Sequence, residues 1–200
     1  MRSYKVYGDS ISGNCLKVKW TLDLLDQRYK WVETSVLKGE TRTAEYLGLN
    51  PAGQVPLLIT PDGQALAQSN AILLYLAEKH GGEVLPTAAF DRAKVYEWLF
   101  WEQYSHEPYS AVRRFLKAFL GKSDPDIDPK LLKRGNAALT RMERQLEAAA
   151  FIAGEKFSVA DISLVAYTRT ASSGGFELGA VPRVKAWIAT VEKRLGIGAV

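Results

Sequence analysis

Two short segments of the chain carry residue types that could bind a peptide-like anion. Residues 50–58 read NPAGQVPLL, a polar turn followed by a proline directly before an apolar strand. If the Val55-Pro56 bond is cis, the backbone N–H and C=O of Val55 face whatever lies beside the strand. Further on, Gln68 and Ser69 open an apolar helix, whose unpaired N-terminal N–H groups suit a carboxylate. The two segments together predict a site for a peptide-like anionic ligand.

The composition is that of an ordinary globular protein and argues against several functions. The 200 residues are 47% hydrophobic and 24% charged, enough for one large or two small domains. The formal charge is +4, but basic and acidic residues are interleaved, so we expect no nucleic-acid partner. The sequence contains no G-x-G-x-x-G or P-loop motif. One cysteine, Cys15, and two histidines, His80 and His106, predict neither a disulfide nor a metal site.

The hydropathy pattern also argues against a membrane protein. The longest apolar stretches are far too short to span a bilayer. The N-terminus leads straight into a predicted strand without the apolar region of a signal peptide. We therefore expect no membrane partner and a cytoplasmic location.

Residue periodicity predicts a small mixed sheet in the first part of the chain. Strands are expected over residues 4–7 and 29–33, with a helix over about 14–26 between them. At this length, strand, helix and strand imply a right-handed parallel crossover. A short helix before Asn50, a hairpin of residues 57–60 and 65–67, and a helix ending at His80 complete the unit, with helices on both faces.

The second part of the chain predicts helices only. The pattern loosens at residues 83–89, so we expect domains at 1–82 and 90–200 joined by this linker. A long aromatic-rich helix follows, and Pro108 should kink it. After a loop comes another helix. Ser158 and Asp161 then form the capping signature of an apolar helix, and Pro182 starts the last one.

The order of these motifs resembles that of the cytosolic glutathione S-transferases. The segments Asn-Pro-x-Gly-x-Val-Pro (50–56), Gln-Ser-Asn-Ala-Ile (68–72) and Ser-x-x-Asp (158–161) fall in the family's order, and the resemblance covers essentially the whole chain. It implies an α/β N-terminal thioredoxin-like domain with a mixed four-stranded sheet, followed by an all-α helical bundle. It also implies glutathione as co-substrate, no metal, a small hydrophobic electrophile as second substrate, and a homodimer.

The resemblance assigns the contacts with glutathione position by position. Val55 would pair through its backbone with the cysteinyl part, and Pro56 would be the family's cis proline. Gln68 and Ser69 would hold the γ-glutamyl end, with the N–H and hydroxyl of Ser69 on its α-carboxylate.

The contacts with the glycyl end are less specific. Gln54 and Thr41 fall where other members of the family contact it. Thr41 departs from the basic or amide residue that is common at its position, and Lys38 is a competing candidate.

The residue that activates the thiol is expected in the loop after the first strand. Residues 12–18, SGNCLKV, are similar to the serine-using members, in which a hydroxyl five residues before the Lys-Val pair activates the thiol. This register makes Ser12 the catalytic hydroxyl and Asn14 an auxiliary donor. The segment is similar to bacterial serine- and asparagine-using members related to the theta and nu classes.

Two alternatives to Ser12 remain open at this stage. Tyr4 and Tyr7 lie in the first strand, where tyrosine-using classes place their catalytic residue, and Tyr7 is the nearer to the strand end. Cys15 corresponds to the cysteine that one bacterial class uses to form a mixed disulfide with glutathione. Its place in the apolar stripe with Val18 and Leu22 favours a buried structural thiol instead.

The second substrate is expected against the helical domain. Tyr104, His106, Tyr109 and Arg113 should share one broad face around the Pro108 kink. A glutathione-dependent disulfide reductase or isomerase on the same fold, and a non-enzymatic binding module, are alternative functions. The isomerase class carries Ser-Ser-Cys-Ser where this chain reads SGNC, which disfavours that option.

Overall fold

The computed structural model describes residues 3–81 and 83–199. The chain forms two compact units, one of residues up to 82 and one of residues from 83 onward. The predicted domain limits at residues 1, 82 and 200 lie outside the described residues.

The first unit alternates strands and helices. Its elements are β1 (Tyr4–Gly8), α1 (Gly13–Leu24), β2 (Tyr29–Glu33), a 3₁₀ turn (Glu40–Arg42), α2 (Ala44–Leu49), β3 (Leu57–Ile59), β4 (Ala65–Ala67) and α3 (Ser69–His80). β2 and α3 have the predicted bounds, while α1 begins one residue earlier and ends two residues earlier than predicted.

These strands form a mixed four-stranded sheet in the order β2-β1-β3-β4. β1 pairs in parallel with β2, and β3 runs antiparallel to both β1 and β4. The predicted thioredoxin-like architecture is therefore confirmed. Its core is fully buried and includes Val6 and Leu58 of the sheet, Val18 of α1 and Leu73 of α3.

The register of the sheet brings three chain segments to one edge. Tyr7 lies opposite Leu57, and Leu57 lies opposite Ala67. The end of β1, the start of β3 and the end of β4 therefore meet at the same edge. The loop into α1 follows the end of β1, and the Val55-Pro56 bond directly precedes β3. The N-terminus of α3 follows the end of β4.

The second unit is helical. Its α-helices are α4 (Ala89–Trp101), α5 (Glu107–Arg114), α6 (Pro129–Ala148), α7 (Val159–Thr168) and α8 (Pro182–Leu195), with single 3₁₀ turns at Asp124–Asp126, Ala171–Gly174 and Leu178–Ala180. The predicted helical domain is confirmed. No helix of residues 3–81 or 83–199 is long and apolar enough to cross a membrane.

The long helix predicted from residue 90 is interrupted by π-helical turns rather than by a simple kink. One turn covers Glu102–His106, and a second covers Phe115–Phe119. Pro108, in the first turn of α5, has no N–H for a helical hydrogen bond, and the π turn lies directly before this helix. A π turn adds one residue, so it rotates the following side chains by about 100° relative to the α-helical spacing.

The predicted capping box of α7 is present and lies at the centre of the second unit. The hydroxyl of Ser158 accepts from Ala160 N at 3.3 Å, and Asp161 accepts from Ser158 N at 2.8 Å. The same carboxylate accepts from Ile152 N at 3.0 Å and from the Trp187 indole at 2.8 Å. Asp161 thus fixes the start of α7 against α8, and every residue of α7 is buried.

Candidate functional site

Ser12 stands at the start of α1, in the loop that leaves the end of β1. Its N–H donates to Asp9 O at 3.0 Å, and its own carbonyl accepts from Leu16 N at 3.0 Å. The buried carboxylate of Asp9 accepts from Ile11 N at 3.1 Å and Val36 N at 2.8 Å, which fixes the loop. Asp9 is a loop-organising residue that the sequence analysis missed. It holds the half-buried Ser12 beside the N-terminus of α1.

Cys15 is a structural thiol in this geometry. Its side chain is 0% exposed, and its Sγ accepts from Asp9 N at 3.3 Å. Burial raises the pKa of the Cys15 thiol to about 11, although hydrogen bonds with the Ser12 side chain and the Asp9 backbone act to lower it. A thiol with this pKa is almost wholly protonated at neutral pH, and it is out of contact with solvent.

The two tyrosines of β1 are held by other groups of the first unit. Tyr4 lies at the start of β1, away from the Ser12 loop, and its hydroxyl bonds His80 Nε2 at 2.6 Å. Burial raises the Tyr4 pKa. Tyr7 is half-buried and its ring packs edge-on against Tyr46, with 5.9 Å between centroids. Of the two tyrosines, Tyr7 is therefore the nearer to the Ser12 loop, and its ring is packed against Tyr46.

Asn14 links the starts of two helices. Its Oδ1 accepts from Lys17 Nζ at 2.8 Å, within α1, and from the hydroxyl of Ser69 at 3.0 Å. Ser69 is the first residue of α3 and is 55 positions away in sequence. The segment predicted to activate a thiol and the segment predicted to hold a carboxylate are thus joined by one side-chain hydrogen bond.

The N-terminus of α3 has the backbone of an anion site. Gln68 is the N-cap and has φ 71° and ψ 111°, a conformation that non-glycine residues rarely adopt. Such strain is concentrated at functional sites. The Gln68 side chain is exposed, whereas Ser69 is 5% exposed. The first N–H groups of this 12-residue helix point out of its N-terminus, where they suit a carboxylate.

Val55 and Pro56 lie at the same edge of the sheet. The Val55-Pro56 bond is cis, Val55 is half-buried and Pro56 is buried. They directly precede β3, whose first residue pairs with both β1 and β4. The preceding turn is held by Asn50 Nδ2 and the Tyr46 hydroxyl, which both donate to Gln54 O at 2.7 Å.

The three residues predicted for the glycyl end differ in accessibility. Thr41 is 2% exposed, so its side chain has almost no surface to offer, while Lys38 and Gln54 are exposed. Arg42, which the sequence analysis missed, is exposed and packs against the turn. A Cβ at Gly53 would lie only 2.5 Å from the Arg42 Nη1. The structure thus brings a guanidinium to the segment before Val55.

The residues predicted for the second substrate differ in exposure, and two of the four are buried. His106 is 1% exposed, and its Nε2 bonds the Thr168 hydroxyl at 3.0 Å. Arg113 is 2% exposed; its Nε donates to Gly174 O at 2.7 Å, and its guanidinium also pairs with Asp124. The π turn at Glu102–His106 changes the helical phase of Tyr104 relative to the residues of α5. His106 and Arg113 are buried because they contact Thr168 and Gly174 from elsewhere in the helical unit.

The other two residues of that group differ in exposure. Tyr104 is 80% exposed. Tyr109 is half-buried and lines a groove of about 520 Å³ between the α4–α5 segment and α6, beneath the guanidinium of Arg134. The groove is lined by aromatic, small and basic side chains, which are Trp101, Ser105, Tyr109, Lys130, Lys133, Arg134, Ala137, Ala138 and Arg141.

Among residues 3–81 and 83–199, no three His, Cys, Asp or Glu side chains are grouped so that they could hold a metal ion.

Family models match both units of the chain. The model described as "Glutathione S-transferase, N-terminal domain" matches residues 11–79. The model described as "Glutathione S-transferase, C-terminal domain" matches residues 122–194. The first match covers the Ser12 loop, the Val55-Pro56 bond and the start of α3.

Individual relatives match nearly the full length. A probable glutathione S-transferase from Oryza sativa subsp. japonica is 31% identical over 94% of this chain and 90% of its own. Glutathione S-transferase 3 of Zea mays is 29% identical over 97% of this chain and 91% of its own. The crystal structure of a glutathione S-transferase from Pseudomonas fluorescens Pf-5 is 46% identical, with a TM-score of 0.91 over 94% of both chains. On the matched domains, these relatives and the fold, the chain belongs to the glutathione S-transferase family of enzymes.

Proposed function

We propose that this protein is a glutathione transferase of the serine- and asparagine-using type, related to the theta and nu classes. Ser12 and Asn14 stabilise the thiolate of bound glutathione, which then attacks a small hydrophobic electrophile. The observation that carries this proposal is the hydrogen bond from the Ser69 hydroxyl to Asn14 Oδ1. It joins the two ends of the site that a single glutathione would have to span.

Glutathione is held at the edge of the sheet by groups of the first unit. The backbone of Val55 pairs with the cysteinyl part beside Pro56. The N-terminus of α3, with Gln68 and Ser69, takes the γ-glutamyl carboxylate, because its unpaired N–H groups are donors fixed in direction. This arrangement leaves the cysteinyl sulfur beside the Ser12 loop.

Arg42 is our candidate for the glycyl carboxylate, together with Gln54 and Lys38. Its guanidinium packs against the turn before Val55, whereas the side chain of Thr41 is buried. A guanidinium can bind a carboxylate through two parallel hydrogen bonds. Arg42 would supply the positive charge that Thr41 lacks.

The chemistry requires a lowered thiol pKa. A free thiol with a pKa of about 8.5 is only ~3% ionised at pH 7, and the thiolate is the nucleophile. Lowering the pKa by about two units corresponds to roughly 2.7 kcal/mol of thiolate stabilisation. One hydrogen bond to a charged sulfur supplies about 1.5–3 kcal/mol, and the N-terminus of α1 adds roughly 0.3–1 kcal/mol. Ser12 and Asn14 therefore act as donors and need not act as bases.

The reaction forms one bond from sulfur to the electrophilic centre. The thiol proton goes to solvent on binding, the sulfur lone pair forms the new bond to carbon, and a leaving group departs with its electron pair. In the helical unit, the exposed Tyr104 and the half-buried Tyr109 stay our candidates for contact with the electrophile, since His106 and Arg113 are buried.

We also propose a homodimer of about 44 kDa, twice the chain mass of 22.2 kDa. The exposed aromatic side chains of Phe90, Phe100 and Tyr104, each at least 74% exposed, support a protein interface on the helical unit. Light scattering at micromolar concentration tests this, and a 22.2 kDa species that binds glutathione would contradict it.

The proposed function is tested with Ser12→Ala against Ser10→Ala. Ser10 is an exposed serine of the same loop and serves as the matched control. Ser12→Ala should lower kcat/KM and raise the pKa of the bound thiol by about 1–2 units, since it removes one donor to a charged sulfur. Glutathione affinity should change little.

The thiol pKa is read from the ultraviolet absorbance of the thiolate, and affinity from titration calorimetry. An unchanged pKa would move the role to Asn14 or Tyr7. Glutathione binding without conjugation or reduction across a panel of electrophiles and disulfides would instead favour a binding module.

A further inference from the structure

The orientation of the Asn14 side-chain amide decides whether it can stabilise a thiolate. An asparagine amide has a carbonyl oxygen that only accepts and an NH₂ group that only donates. A thiolate needs a donor, and the carbonyl oxygen would repel it. Asn14 can therefore contribute to the proposed function only if its NH₂ group, and not its Oδ1, faces the sulfur.

The contacts of Asn14 determine this orientation. Its Oδ1 accepts from Lys17 Nζ at 2.8 Å and from the Ser69 hydroxyl at 3.0 Å. A hydroxyl can donate or accept, so Ser69 would tolerate either orientation of the amide. A lysine ammonium can only donate, so Lys17 fits the carbonyl oxygen and excludes the NH₂ group. Of these two partners, only Lys17 distinguishes the two ends of the amide.

Lys17 is itself fixed within the first unit. Its side chain is 0% exposed, although lysine is almost never fully buried in proteins. It lies three residues after Asn14 on α1, so the two side chains share one face of the helix. Its carbonyl accepts from the Thr21 hydroxyl at 2.8 Å, and Thr21 is also 0% exposed. The buried side chain and the hydrogen bond to Asn14 Oδ1 place the ammonium beside Asn14.

We propose that Lys17 is a positioning residue for thiol activation. It holds Asn14 Oδ1, so that the Asn14 NH₂ group donates to the glutathione sulfur. In the ligand-free chain the same oxygen accepts from the Ser69 hydroxyl, which links the thiol end of the site to the N-terminus of α3. This inference rests on the proposed function, because it specifies how one of its donors is oriented.

Lys17→Met removes the donor and keeps an unbranched side chain of similar length. We expect the pKa of the bound thiol to rise by about one unit, which is a roughly tenfold lower thiolate fraction at neutral pH. The value of kcat/KM should fall by the same factor below that pKa, while glutathione affinity changes little. Lys17→Arg keeps an obligate donor and should retain a thiol pKa close to that of the wild type.

The double variant tests whether Lys17 acts through Asn14. In an Asn14→Ala background, Lys17→Met should cause no further rise of the thiol pKa, since the group that it orients is already absent. An equal rise in both backgrounds would overturn the proposal in favour of a direct effect of the ammonium charge. Lys19→Met is the matched control, because Lys19 lies on the same helix and pairs with Asp23 at a partly exposed position.

The outcomes separate this inference from the proposed function. If the wild-type protein does not lower the pKa of bound glutathione, the proposed function itself fails. If it does, and Lys17→Met has the wild-type thiol pKa, only the role of Lys17 is refuted. Should Lys17→Met not fold by circular dichroism, Lys17→Leu replaces it; leucine also has no donor for Asn14 Oδ1, so the thiol pKa should again rise.

Discussion

The test that best separates the serine mechanism from a cysteine mechanism concerns Cys15. The side chain is 0% exposed, and burial raises its pKa to about 11. A nucleophilic cysteine needs the opposite, a lowered pKa and access to solvent. We therefore expect Cys15 to be unreactive in the folded protein and dispensable for catalysis.

The size of the effect follows from the pKa. At pH 8, a free cysteine with a pKa of about 8.5 is ~24% thiolate. With the pKa at about 11, Cys15 is only ~0.1% thiolate at this pH. Ionisation alone therefore slows alkylation by roughly 200-fold, before the barrier from burial is added.

The assay compares the same thiol in two states. Iodoacetamide labelling at pH 8 is followed by intact mass, once in native buffer and once in urea, where Cys15 is exposed. Native labelling should be at least about 200-fold slower. In parallel, Cys15→Ala should keep kcat/KM within about twofold of the wild type, despite a stability loss of about 1–3 kcal/mol from the lost Sγ acceptor of Asp9 N.

Three results would refute this reasoning. The first is native labelling within tenfold of the rate in urea. The second is a large loss of kcat/KM in a folded Cys15→Ala variant. The third is a wild-type mass increase of one glutathione after treatment with oxidised glutathione in native buffer, reversed by a reductant, because it would place a reactive Cys15 thiol in the site.

The remaining predictions concern stability and ligand binding. The pKa of Cys15 is higher in the folded protein than in the unfolded chain. The contribution of this thiol to stability is therefore complete below about pH 8.5 and is lost as the pH rises toward 11. From this group, the free energy of unfolding should fall by about 2 kcal/mol between pH 7 and pH 10. Urea titrations of wild type and Cys15→Ala at both pH values check this, and an equal fall in both would contradict it. The Ser69 hydroxyl has one proton, which it donates to Asn14 Oδ1 in the ligand-free chain. We expect it to turn to the γ-glutamyl carboxylate when glutathione binds, so Ser69→Ala should weaken binding by about tenfold in titration calorimetry, since a charge-assisted contact is worth about 1.5–3 kcal/mol. An affinity equal to that of Ser10→Ala would show that the carboxylate is held elsewhere. Asp161→Ala should destabilise the protein by at least about 3 kcal/mol in urea denaturation, because Ser158 N, Ile152 N and the Trp187 indole each lose a buried acceptor at about 1–3 kcal/mol. Asp161→Asn keeps one carboxamide oxygen and should lose less, and a loss below about 1 kcal/mol in Asp161→Ala would contradict the assigned network.

Several features of this protein were determined by the sequence alone, because they depend on near neighbours. Alternation and turn residues predict the strands and helices of the first unit, whose sheet is built as expected. The capping box of Ser158 and Asp161 needs only a spacing of three residues, and the helix start at Ser69 needs only the residues around it.

Only the tertiary structure decided which of the candidate side chains are exposed and which residues they contact. His106 and Arg113 have the helical spacing of one face, but contacts with Thr168 and Gly174 bury both. The bond between Asn14 and Ser69 spans 55 positions, and no local pattern indicates it. The same holds for Arg42, whose place against Gly53 depends on how the turn at residues 50–53 folds back onto the 3₁₀ turn. Local periodicity fixes which residues share a helix face, whereas burial and long-range partners are set by the packing of whole elements.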